Sequence, residues 1–191
     1  MINHKSIKMK KLFFLFTLTC FIACSETKTS QKPDYTFEKE QMEFYKMDWT
    51  RSKKHTLAVV DSMPEVKLDF KSNEEARSFS EDIKHIVGAN YNMISTALSI
   101  DAPKIDMKAI QTKAELLSTV DDGYNWVLKS LDEYDVSKNK DTIELFGKVK
   151  MPRVRAITKA YEHQAHHKSK AIASQRMAGQ TPPEFAAYFF D

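Results

Sequence analysis

Cysteine is scarce in this 191-residue chain. It has two, Cys20 and Cys24, and both fall in the first 24 positions. The remainder therefore has no thiol nucleophile and no disulfide, which excludes cysteine catalysis and a disulfide scaffold. Glycine (four) and proline (six) are also few, so long stretches run without a helix breaker. Nor is there a usable surplus of positive charge. Four of the 29 basic residues, and none of the 26 acidic ones, lie in positions 1–24, which leaves 25 basic against 26 acidic beyond them. A nucleic-acid binder needs a strongly basic face, and no such face is available here. The apolar run Leu12–Leu18 is too short to cross a bilayer.

What the first residues do hold is a leader. Lys5, Lys8, Lys10 and Lys11 precede that apolar run, and Phe21-Ile22-Ala23-Cys24 follows it, the n-region and h-region of a secretory signal. Either Met1 or Met9 is the start, the second giving the more compact leader. Ala23-Cys24 resembles a bacterial lipobox, which makes Cys24 the expected lipid-attachment residue and residue one of the mature protein. Cys20 follows Thr19, fits less well, and would be removed. An ordinary signal peptide cut near Ala23 is the plainer alternative. The polar stretch 25–36 suits a flexible tether behind an anchor. The expected location is the cell envelope, lipid-anchored to a membrane outside the cytoplasm, with one ordinary-sized domain in residues 37–191.

Within that domain the apolar spacing is helical. Met42, Tyr45, Trp49, Thr56, Val60 and Met63 line one face of a first helix that Pro64 closes. Residues 65–77 read as a loop. Ser78 and Glu81 have capping-box spacing and open a second helix reaching about Ser99. Its buried stripe is Ile83, Ile86, Val87, Asn90, Ile94 and Leu98, and His85 sits well off the centre of that stripe. Gly88 is either a point of close backbone approach or a tolerated helix glycine. The third helix is expected over about Met107–Tyr134, with Leu117, Val120, Tyr124, Val127 and Leu131 inward and Asp121-Asp122-Gly123 interrupting it. Residues 141–150 alternate apolar and polar, as a short extended crossover does. Met151-Pro152 then starts a fourth helix that no Gly or Pro interrupts from Arg153 to Ala178. The fold class is thus all-α, a four-helix bundle with a short extended crossover before the last helix.

The last helix carries the one constellation that points to chemistry. His163 and His167 are four apart, on one face, with Cβ atoms roughly 6 Å apart. Two imidazoles at that spacing can grip one metal ion. The plainer reading is a polar helix that happens to carry three histidines. His166 lies about 100° round from His167 and is not expected to join. Val154, Ile157, Tyr161 and Ile172 make an ordinary core stripe. The face bearing the two histidines is otherwise small: Ala156, Ala160, Ala171 and Ser174. Small residues there either leave room beside a metal or let helices pack closely. His55, among Arg51, Lys53 and Lys54, reads as a solvated surface residue. Asp121 and Asp122 read as a solvated patch, or as a carboxylate partner for a ligating imidazole.

The run from His163 through His167 to Gln175-Arg176-Met177-Ala178-Gly179 and Pro182-Pro183 resembles the last helix of the DinB-like superfamily of metal-binding four-helix bundles. The match needs no gaps. It puts His163 and His167 on two metal ligands and Arg176, Gly179 and Pro182-Pro183 on the pattern that follows. The stretch Asp82–Ala89 resembles the segment of the second helix that supplies the third ligand, which implies His85. The chain departs from the pattern at Lys168-Ser169-Lys170 and Ser174-Gln175, so the ligands are kept while their neighbours change. Three neutral imidazoles leave coordination positions open, as in catalytic rather than structural zinc sites. They suit Zn²⁺, Ni²⁺ or Fe²⁺ alike.

The resemblance implies a metal-dependent hydrolase or a thiol S-transferase acting on a small substrate. Export favours the hydrolase, because the transferases use thiols found inside cells. It also implies pairing as a homodimer, although no surface patch in the sequence argues for one. Glu81 and Glu162 are candidates for a general base only by adjacency to ligands, and none is assigned. The competing readings are a non-catalytic surface lipoprotein that captures a metal or ligand, and a partner-binding module with a vestigial site.

Overall fold

The computed structural model describes residues 32–189. Cys24, the leader and most of the tether lie outside the described residues. Four long helices carry the fold: α1 (Thr36–Ser62), α2 (Phe79–Leu98), α3 (Lys113–Asp132) and α4 (Arg153–Met177). A two-stranded hairpin, β1 (Thr142–Leu145) and β2 (Val149–Pro152), precedes α4, and a short helix α5 (Ala186–Phe189) follows it. The all-α bundle is the expected fold. No helix among the described residues is long and apolar enough to cross a membrane.

Local chemistry explains the ends. Ser78 and Glu81 form the expected capping box, the Ser78 hydroxyl accepting from Glu81 N and Glu81 accepting from Ser78 N. A second capping box, Thr112 with Glu115, starts α3. The third helix therefore begins later than the expected Met107. Residues 107–112 belong to the connection because the reciprocal cap fixes the first turn after Thr112. Asp121-Asp122-Gly123 does not interrupt α3. Gly123 is buried where α2 and α3 come closest, and a Cβ there would lie 2.6 Å from Val87 Cγ1. Gly88 has no such role, since a Cβ would meet only Met107 Cε at an ordinary 3.8 Å. The alternation over 141–150 is resolved as the hairpin, with Ile143 and Leu145 inward.

Cross-helix pairs fix the directions. Lys46 meets Asp132 and Asp61 meets Lys113, so α1 and α3 are antiparallel. Asp82 meets His167 and Ala97 meets Arg153, so α2 and α4 are antiparallel. Tyr45 meets Thr158, Ser52 meets Gln164 and Ser62 meets Gln175, so α1 and α4 run parallel. By the same logic α2 and α3 are parallel, through Val87–Gly123 and Tyr91–Trp126. A parallel pair needs a connection the length of the bundle. Residues 99–112 supply it, because an extended chain covers about 3.3 Å per residue and a 20-residue helix is about 30 Å long.

The core is Trp49, Phe79, Ile83, Ile86, Ile94, Leu116, Leu131 and Ile157 with their neighbours, all under 2% exposed. On α4 the small stripe is the more deeply buried one. Ala156, Ala160 and Ala171 are fully covered, whereas Val154, Tyr161 and Ile172 are only half-buried. These alanines let α4 lie close against α2, its most extensive packing partner. None of them lines the cleft beside His85.

Candidate metal centre

That close α2–α4 contact brings three imidazoles together. His163 and His167 project from consecutive turns of α4, and His85 projects from the second turn of the antiparallel α2. Ring centroids are 5.1 Å apart for His85–His163, 4.3 Å for His85–His167 and 4.6 Å for His163–His167. One nitrogen from each ring lies within 4.8 Å of the others. A tetrahedral ion with bonds of about 2.0–2.1 Å draws its ligands to roughly 3.4 Å apart. Small side-chain rotations close that difference.

Asp82, which the sequence reading missed, organises the cluster. It sits three residues before His85, on the same face of α2, and is 1% exposed. Its Oδ1 is 3.0 Å from His167 Nδ1. A carboxylate only accepts, so His167 Nδ1–H donates, and that fixes the tautomer leaving Nε2 free to ligate. Arg77 Nη1 lies 4.0 Å from the same Asp82 oxygen and keeps the buried carboxylate from standing alone. The i, i+3 relation of an acid to a proposed ligand was the available signal. Asp121 and Asp122 take no part, Asp121 pairing instead with Lys53 at the surface.

The electrostatics favour neutral rings. Burial pushes His85 down to about 4, helped by the charge of Arg77 and by the two neighbouring imidazoles. Burial also lowers His163, with His167 and His166 adding to it. His167 is lowered by burial against the upward pull of Asp82. Neutral imidazole is the form that binds a metal. His163 Nδ1 is buried without a hydrogen-bond partner, an orphan of the kind a cation satisfies. The donor set, the orphaned nitrogen and the carboxylate-anchored tautomer all fit a divalent ion.

A cleft of about 580 Å³ opens beside His85, lined by Arg77, Glu81, Lys84, Gly88 and Met107 among others. The Lys84 ammonium donates to the carbonyl of Ile110 at 2.5 Å, tying the 99–112 connection to the cleft wall. Glu81 lines this cleft, but its carboxylate is committed to the capping box, which holds its pKa below the usual range. Glu162 is exposed and paired with Lys159. His166 is exposed beside His167 and outside the cluster.

His55 corrects the sequence reading: it is 2% exposed, not a solvated residue. Its ring lies 5.4 Å from that of Phe185 and 5.1 Å from that of Tyr188. The chain that follows α4 folds back over it, a contact between residues far apart in sequence that no local pattern reveals.

Two solved structures share the fold. A DinB-like protein from Bacillus cereus ATCC 10987 superposes with a TM-score of 0.65 at 16% identity, over 74% of this chain and 95% of that one. A DinB-like protein from Bacillus subtilis gives 0.62 at 17%, over 74% and 96%. No curated protein matches the chain in sequence. The sequence pattern of the DinB superfamily covers residues 48–170, which contain all three histidines and Asp82. With that match over most of the bundle, the chain belongs to the DinB superfamily.

Proposed function

We propose that the protein holds one divalent metal ion through His85, His163 and His167 and uses it on a small substrate, as a metal-dependent hydrolase or, less in keeping with export, a thiol transferase. The observation that carries this reading is the pairing of the three-imidazole cluster with Asp82, a carboxylate–histidine arrangement that orients a ligand toward an ion. Bound there, a divalent ion supplies a Lewis acid with positions open to water or substrate. Zn²⁺, Ni²⁺ and Fe²⁺ all suit the donor set.

The chain's own residues do the rest. Asp82 holds the His167 ring, and burial keeps all three rings neutral at neutral pH. Arg77 and Lys84 give the cleft beside His85 a positive lining suited to a substrate that is anionic or gains negative charge. Capture of a metal or ligand without turnover is the second reading. The commitment of Glu81 to its cap favours it, since that carboxylate is not free to move a proton. The setting we propose is the outer side of a membrane, with Cys24 lipid-modified and the bundle alone or paired with a second copy.

Metal analysis of the purified full-length protein tests the site. About one ion per wild-type chain, and none in His163→Ala, is the expected result; a wild type without bound metal sinks both readings. Turnover by metal-loaded protein across ester, amide, phosphoester and thiol-transfer substrates then separates catalysis from capture.

A further inference from the structure

On the other side of α4, where it runs parallel to α1, lies a larger cavity of about 750 Å³. Its roof is residues 181–185, its walls include Tyr161, Ala165 and Ile172, and its floor is Gln164, Lys168 and His55. The floor is unusual in its hydrogen-bond balance. Lys168 is 7% exposed, and its ammonium has Ser52 Oγ at 2.7 Å and Ser52 O at 3.5 Å as acceptors. It has no acidic partner among the described residues. The Ser52 and Tyr124 hydroxyls both donate to Gln164 Oε1, at 2.7 and 2.9 Å. The amide nitrogen of Gln164, fully buried, then has no acceptor. The cluster is rich in donors, poor in acceptors, and carries one uncompensated positive charge. A buried charge left in that state is costly unless a counter-ion arrives.

We propose that this cavity is a second ligand site, separate from the histidine cluster, that takes a small monocarboxylate with an apolar body. The carboxylate supplies both what Lys168 lacks, a negative charge, and what Gln164 lacks, an acceptor. Those two side chains are four apart on α4, so their heads meet on one face. A single buried ammonium balances a single negative charge. The volume is that of ordinary small-molecule pockets, and Tyr161, Ile172 and the Pro182-Pro183 roof give the ligand body an apolar lining. Arg176 and Glu184 at the rim are exposed and remain solvated.

Calorimetric titration of the metal-loaded full-length protein with phenylacetate and octanoate, against phenylacetamide and octanamide, tests this. A carboxylate should bind one per chain, with its amide at least ~10-fold weaker, because charge-assisted hydrogen bonds are the stronger ones. Lys168→Met should weaken carboxylate binding at least ~10-fold while raising the thermal midpoint, since it replaces an unpaired buried charge with an apolar chain. Ala165→Phe fills the cavity without altering the floor and should abolish binding independently. Metal content stays at the wild-type value in both variants, so this result is read apart from the metal site. Acid and amide binding alike, no binding by either acid, or full affinity in Lys168→Met would each overturn the proposal.

Discussion

His163 and His167 face α2, while Gln164 and Lys168, one step along the chain, face α1. The two sides of α4 bury polar groups in opposite ways. Toward α2 the helices approach closely over alanines, and the charged groups answer one another: Asp82 holds His167, and Arg77 attends Asp82. Burial there favours the neutral form of every imidazole, so no charge is stranded. Toward α1 the seam is bridged by hydroxyls and amides. It encloses Lys168, whose pKa burial pulls down to about 8 without supplying an anion. Adjacent residues on one helix thus yield a site short of a cation on one side and one short of an anion on the other.

Perturbing the α2 side should have the largest effect. His85→Ala removes that helix's only imidazole from the cluster and should cost more than about 100-fold in metal affinity, beyond what a supporting partner contributes. Competition with a chelating dye measures it, and unchanged affinity would mean that α4 alone holds the ion. Asp82→Asn comes next, since it keeps the shape but weakens the anchoring of His167. The expected loss is about 10–100-fold in metal affinity with a folded protein by circular dichroism. Ala160→Leu tests whether close approach is what assembles the site. Overpacking should destabilise by about 1–3 kcal/mol in urea titration and lower metal occupancy with it. Retained stability would show that the helices have room to spare.

The smallest effect belongs to the α1 side and to acid. His55 is pushed down to about 4, chiefly by burial, next by the charge of Lys168, with the Pro183 carbonyl pulling upward. Phe185 and Tyr188 cover its ring. Its folded pKa lies below the unfolded value of 6.5, so the unfolded chain binds the extra proton first. Its contribution is complete above pH 6.5 and declines as the pH falls toward 4. The thermal midpoint should fall across that window, and His55→Phe should flatten part of the fall. An identical slope in that variant would assign the acid sensitivity to other groups.

The helices were legible because their causes are local. Apolar residues three and four apart, a Ser–Glu cap and an uninterrupted stretch from Arg153 each act over a turn or two. The start of α3 was misplaced because Met107 and Ile110 continue an apolar rhythm, whereas the Thr112–Glu115 cap decides where the helix begins. His85 was named through likeness to a family, not through its place on the wheel. Asp82, three residues earlier, carried a readable spacing that was passed over.

The sequence by itself determined which segments are helical, that no cysteine chemistry is available beyond the leader, and that two imidazoles share a face of α4. Only the tertiary structure decided that α2 runs antiparallel to α4 at alanine distance, so that a third imidazole and a carboxylate complete the set. It also decided that His55, which reads as a surface residue in a charged neighbourhood, is enclosed, and that Lys168 is buried beside it. Periodicity reports one helix's own faces, but which side chains meet, and which charges lose water, depends on the helices packed against it.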